Sequence, residues 1–172
     1  GGYAQRLGWL TGFGGSAGSA VVLADTAAVF VDGRYTLQVR EQVDGRLFEY
    51  QSVPQTSIGA WLADRAPDGA KIGYDAWLHG KPWVDATASA IAARGAVLIP
   101  TEGNPIDAVW QDRPAPSLDP ALMHPTELAG QSSEAKRFAV AEWLNAKGID
   151  AAVISALDSV AWLLNVRGSD VE

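Results

Sequence analysis

Two short apolar runs, 20–23 and 27–31, lie near the start of the chain with Ala24-Asp25-Thr26 between them. Apolar, largely β-branched runs joined by a tight polar turn predict an antiparallel hairpin. Both runs are almost wholly apolar, which predicts cover on both faces of the hairpin. Beyond it, Tyr35, Leu37 and Val39 among Arg34, Arg40, Glu41 and Gln42 predict a short helix over 34–43. Residues 47–53 read as a strand stopped by Pro54. Ile58, Trp61 and Leu62 have the i, i+3, i+4 spacing of a helix over 57–63. A turn at Pro67-Asp68-Gly69 leads to a strand over 71–75. Pro82 suits a first helical turn and Gly95 a helix end, with Val84, Thr87, Ala88, Ile91 and Ala92 on one face between them. Residues 96–99 form the next strand, and 104–110 a short helix capped by Asn104. This alternation predicts an α/β fold, a mixed β-sheet flanked by helices.

The pattern changes after residue 110. Pro114, Pro116, Pro120 and Pro125 interrupt it, so 111–130 reads as an extended proline-rich linker without regular structure. Residues 134–147 then form an amphipathic helix with Val140, Ala141, Trp143 and Leu144 on its buried side, ended by Gly148. Residues 151–154 read as a buried strand and 159–164 as a short apolar helix. A repeat links the two parts. Trp9-Leu10 with Gly15-Ser16 recurs as Trp162-Leu163 with Gly168-Ser169, each displaced by 153 residues. The expected organisation is a first α/β domain over 1–110, lacking its opening helix and strand, the linker 111–130, and a truncated second copy over 131–172. Segment 134–170 holds the counterparts of those opening elements. It is therefore expected to fill the exposed sheet edge of the first domain, within the chain or as a domain swap between copies.

Composition narrows the function. The 172 residues carry a formal net charge of −7, which argues against nucleic acid and anionic membranes as partners. There is no cysteine, hence no disulfide and no thiolate metal site. No apolar run nears the roughly 20 residues that span a bilayer. A cytoplasmic location is expected.

Candidate chemistry is sparse. Gly14-Gly15-Ser16-Ala17-Gly18 matches G-x-S-x-G, and Gly12-Phe13-Gly14 followed by Ala17 loosely fits a dinucleotide fingerprint. Both motifs need a helix directly after them. A hairpin is expected there instead, so the glycines read as a sharp turn into a buried strand. A serine hydrolase with Ser16 as nucleophile and His124 or His79 as base is the less favoured alternative. Those two histidines read as turn or surface residues rather than metal ligands. Asp32-Gly33-Arg34 is either a binding loop or, preferably, an Asp-capped strand-to-helix turn. Arg167 and Asp170, at the end of an apolar helix, are candidates for a loop facing a neighbouring catalytic domain. The alternative is an ion pair or cap that fixes the loop. The seven tryptophans lack the basic neighbours of a nucleic-acid platform and read as core or interface.

Four stretches carry a resemblance: RLGWLTGFGGSAGSAVV (6–22), FVDGRYTLQ (30–38), NPIDAVWQDRP (104–114) and DSVAWLLNVRGSDV (158–171). Together they resemble the amino-terminal region of Xaa-Pro aminopeptidases, also called aminopeptidase P, in the creatinase/prolidase-like metallopeptidase group. The resemblance implies two creatinase-type amino-terminal domains followed by a catalytic domain. That domain would bind two divalent metal ions, usually manganese, through two Asp, one His and two Glu. None of these ligands maps onto this chain, so no cofactor is expected within it. The implied reaction removes the first residue from peptides with proline second. The chain alone is expected to be inactive, with a role in substrate access and subunit contacts of a homo-oligomer. A stand-alone binding module of the same domain type is the other alternative.

Overall fold

The computed structural model describes residues 2–168. The chain divides into two compact units, residues 2–115 and residues 116 onward.

In the first unit, helix α1 (Arg6–Thr11) ends where Gly12 turns left-handed at φ 80° and donates its N–H to the Gly8 carbonyl. A side chain at Gly12 would meet the Gln42 carbonyl at 2.9 Å, so glycine is needed there. The turn drops Phe13 into the core, where it is 1% exposed. Strands β1 (Ser19–Val22) and β2 (Ala27–Val31) form the expected antiparallel hairpin. Cover on both faces holds for β2 alone, because β1 is an edge strand and Val22 is exposed. A turn of 3₁₀ helix (Gly33–Tyr35) and helix α2 (Gln38–Gln42) replace the single helix expected over 34–43. Asp32 caps that turn by accepting from the Arg34 N–H at 3.0 Å. Strand β3 (Glu49–Ser52) lies parallel to β2.

Strand β2 organises the unit. Its alternate side chains enter different cores, as the period-two pleat requires. Val29 and Val31 pack with Phe13, Val39, Val43 and Phe48. Ala28 and Phe30 pack with Trp61, Leu62, Ile91 and Ala96. Trp61 and Leu62 come from helix α3 (Ile58–Arg65), whose first turn is capped by Ser57 Oγ accepting from the Ala60 N–H at 3.1 Å. Gly59 lets α3 press against helix α4 (Lys81–Ile91): a Cβ there would sit 2.9 Å from Ala90. Strand β4 (Lys71–Tyr74) pairs parallel with β5 (Val97–Pro100) in a ladder of its own. In place of one mixed sheet there are two: β1-β2-β3 is mixed, and β4-β5 is a separate parallel pair. Helix α5 (Pro105–Val109) is capped by Asn104 Oδ1, which accepts from the Ile106 N–H at 3.0 Å.

In the second unit, strand β6 (Leu122–Met123) pairs antiparallel with β7 (Val166–Arg167). Short helix α6 (Thr126–Ala129) follows Pro125. Residues 111–130 are thus not free of regular structure, because Pro125 sits at the start of a helix, where it removes no hydrogen bond. Helix α7 (Ser133–Ala146) begins on a Ser132 cap, and helix α8 (Leu157–Leu164) ends at Asn165 with φ 51°. The inner face of α7 differs from expectation: Lys136 is buried and Val140 and Leu144 half-buried, while Ala141 and Trp143 are exposed. Residues 151–154 form no strand. Among the described residues no strand pairs with them, and a strand needs a ladder partner.

Candidate functional site

The glycine run places Ser16 on an open loop rather than at a helix start, since β1 follows it directly. Ser16 Oγ lies 2.6 Å from the Tyr35 hydroxyl. That hydrogen bond is the main reason the Tyr35 phenol is held below its usual pKa, with the nearby Arg34 guanidinium contributing less. Arg34 lies over the Tyr35 ring at 5.1 Å and its side chain clamps the Asp32 carboxylate, NH2 to Oδ2 at 2.7 Å. Asp32-Gly33-Arg34 is thus a capped turn closed on itself. Gly14 donates its N–H to Gln42 Oε1 at 2.9 Å, tying the loop to α2.

The Ser16 Oγ hydrogen bond goes to Tyr35, and the His79 ring is engaged elsewhere. His79 has its Nδ1 2.9 Å from the Asp75 carbonyl and its ring 4.0 Å from that of Trp83. His124 lies in the second unit, where its backbone N–H donates to the Asn165 carbonyl at 2.7 Å. A serine nucleophile is activated by a hydrogen-bonded base, whereas the described partner of Ser16 is a phenol. Among the described residues no three His, Cys, Asp or Glu side chains are grouped to hold a metal ion.

Two clusters escaped sequence reasoning. Asp107 of α5 receives Arg6 of α1 in a two-pronged pair, Nε to Oδ1 at 2.6 Å and NH2 to Oδ2 at 2.8 Å. Arg113 reaches the same carboxylate at 2.7 Å and donates from Nε to the Tyr3 carbonyl at 2.9 Å. The Arg6 hydrogen bond chiefly, with the charges of both arginines, lowers the Asp107 pKa. Trp9 and Trp110 stack at 5.6 Å beside this pair. Partners about a hundred positions apart share no periodicity, so only their presence in two of the stretches that carry the family resemblance, 6–22 and 104–114, pointed to them.

The second cluster surrounds the loop that carries Arg167. Lys136 is 3% exposed. Its Nζ donates to Asn165 Oδ1 at 2.6 Å and to the Trp162 carbonyl at 2.9 Å, and lies 4.6 Å from the centre of the Trp162 ring. Asn165 Nδ2 donates to the Gln131 carbonyl at 2.8 Å, and Ser133 Oγ donates to that of Leu163 at 2.8 Å. The left-handed turn at Asn165 is thereby pinned from α7. Arg167 follows in β7, paired with Leu122 and exposed. Asp170 lies outside the described residues. The missed signal was a lysine on the apolar side of α7, a position normally left to hydrophobic residues.

These clusters position backbone and exposed side chains; none supplies a nucleophile, a base or a metal. Residues 3–108 match the Creatinase/Prolidase N-terminal domain. The chain belongs to the creatinase/prolidase N-terminal domain family. A second model of this domain matches residues 112–172 of this family member. Among its relatives, the Xaa-Pro aminopeptidase ApepP of Drosophila melanogaster is 37% identical over 98% of this chain and 28% of its own length. Aminopeptidase P1 of Arabidopsis thaliana is 34% identical over 97% of this chain and 26% of its own. The crystal structure of X-prolyl aminopeptidase from Caenorhabditis elegans, described as a cytosolic enzyme with a di-nuclear active site, matches with a TM-score of 0.85. It is 33% identical, over 98% of this chain and 28% of that one. The chain thus spans about a quarter of the length of the relatives it matches. No helix among the described residues is long and apolar enough to cross a membrane.

Proposed function

We propose that this chain is the non-catalytic amino-terminal portion of an Xaa-Pro aminopeptidase, an enzyme removing the first residue from peptides with proline second. The observation that carries this reading is similarity to such enzymes over 97–98% of the chain. The di-nuclear site of the worm relative supports two metal ions in the parent protein, and the family resemblance makes manganese the expected metal. The residues described here form no site for them. When bound, such ions supply an activated water for attack on the scissile carbonyl. The part of this chain is positional. Its Arg167 loop, together with Asp170, shapes access of the peptide to the catalytic domain and makes subunit contacts in a homo-oligomer. The cytosolic description of the worm enzyme supports a cytoplasmic location.

Assays of Xaa-Pro peptide hydrolysis with added manganese test the proposal. The 172-residue chain is expected to give no turnover, and a protein that continues into the catalytic domain to give it. In that longer protein Arg167→Ala is expected to raise KM more than it lowers kcat. Turnover by the short chain, or a longer protein without Xaa-Pro activity, overturns the reading.

A further inference from the structure

Three aspartate–glycine bonds lie on turns of the first unit: Asp32-Gly33, Asp44-Gly45 and Asp68-Gly69. Such a bond carries a reaction of its own, because glycine has no side chain to shield its nitrogen. That nitrogen attacks the aspartate Cγ. A Cγ–N bond forms and a Cγ–O bond breaks. Water leaves, taking one proton from the carboxyl group and one from the N–H. A second water reopens the five-membered imide at either carbonyl. Opening at the former main-chain carbonyl leaves isoaspartate, with the chain rerouted through Cγ. Ring closure needs a neutral carboxyl group and a glycine N–H free to lose its proton.

The three bonds meet these needs differently. Asp32-Gly33-Arg34 recurs as Asp44-Gly45-Arg46, and the two turns are built alike. Arg34 closes on the Asp32 carboxylate with its backbone N–H at 3.0 Å, Nε at 3.0 Å and NH2 at 2.7 Å. Arg46 closes on Asp44 with the same groups at 2.9, 3.0 and 2.6 Å. Two-pronged, charge-assisted bonds favour the carboxylate over the acid. The Arg46 side chain pulls the Asp44 carboxyl down to about 2, and Arg34 lowers that of Asp32. The N–H groups of Gly33 and Gly45, by contrast, meet no acceptor among the described residues. At Asp68 the arrangement is reversed. Its side chain is 84% exposed, with Arg94 NH1 no nearer than 3.3 Å. The Gly69 N–H is engaged instead, donating to the Arg94 carbonyl at 2.8 Å.

We propose that Asp32 and Asp44 are latent isoaspartate sites held off by the Arg34 and Arg46 guanidinium groups, and that Asp68 is a third, held off by the bonded Gly69 N–H. Each bond is thus blocked at one of its reacting groups. Isoaspartate at position 32 would lengthen the backbone between β2 and the turn that brings Tyr35 to Ser16. None of this depends on the parent activity.

The purified chain is aged for weeks near neutral pH, folded or unfolded in urea, and digested. Its peptides are separated and fragmented by electron transfer, which tells isoaspartate from aspartate at equal mass. In the folded chain each position should isomerise about tenfold slower or more than in urea, the weight of one charge-assisted hydrogen bond. Arg34→Ala should raise the folded-chain rate at Asp32 by about that factor and leave Asp44 and Asp68 unchanged. Arg46→Ala should do the same at Asp44 alone. Arg34→Lys keeps the charge without the planar fork and should fall between parent and Arg34→Ala. Both arginine side chains are exposed, 66% and 89%, so the variants keep the fold, which circular dichroism checks. An unchanged rate at Asp32 in Arg34→Ala overturns the proposal. So does acceleration at all three positions together, or a position that isomerises as fast folded as unfolded.

Discussion

Replacing Lys136 by Met tests how the Arg167 loop is held. Methionine fills much of the same volume but removes the ammonium. Asn165 Oδ1 and the Trp162 carbonyl then lose donors at 2.6 and 2.9 Å, and the Trp162 ring loses its cation at 4.6 Å. Two hydrogen bonds from a charged donor contribute about 1.5–3 kcal/mol each. Contact with the ring adds about 1 kcal/mol. Relief from burying an ammonium that no carboxylate among the described residues pairs with offsets part of this, leaving a net loss of about 2–4 kcal/mol. At about 1.4 kcal/mol per decade, local opening becomes roughly 30- to 1000-fold more frequent. Amide hydrogen exchange read on peptides covering 157–168 measures it directly. Exchange there should accelerate by that factor, while peptides from β2 stay unchanged. Protection within threefold of the parent value would refute the reasoning, because the lysine would then not be what pins the turn at Asn165.

Other outcomes follow from the same structure. Lowering of the Asp107 pKa means that its pair with Arg6 adds stability above the ordinary carboxylate value of about 4 and loses it as pH falls through the lowered value. Acid titration of Asp107→Asn should therefore show a flatter loss of stability below about pH 4 than the parent; an unchanged acid limb would show that the pair is not linked to folding. Gly15→Ala would drive a methyl into the Phe13 ring, with Cε1 at 2.7 Å, and should cost about 1–3 kcal/mol, seen as a Tm drop of several degrees. Tyr35→Phe should change stability by under about 1 kcal/mol, since its bond to Ser16 is exposed. Ester hydrolysis by the chain should remain at background, and a robust activity abolished by Ser16→Ala would revive the hydrolase reading.

Most local structure in the first unit was legible in the residues. The polar turn between 20–23 and 27–31 fixes a hairpin because each run is too short and too β-branched for a helix. Ser57 and Asn104 announce helix starts through their side-chain oxygens, and Gly95 a helix end, here at φ 65°. These signals act within a few residues, so sequence carries them whole. Burial and pairing do not act locally. Residues 151–154 have strand composition, yet a strand exists only where another backbone supplies its hydrogen bonds. Composition likewise marked 27–31 and 20–23 as equals, but only β2 lies between two neighbours and two cores. The carboxylate shared by Arg6 and Arg113, and the ammonium of Lys136 set against Trp162 and Asn165, join positions that no sequence period relates. The sequence by itself determined the elements, their caps and the family resemblance. Tertiary structure alone decided which edges were satisfied and which charges met, because those depend on what the chain places alongside each group.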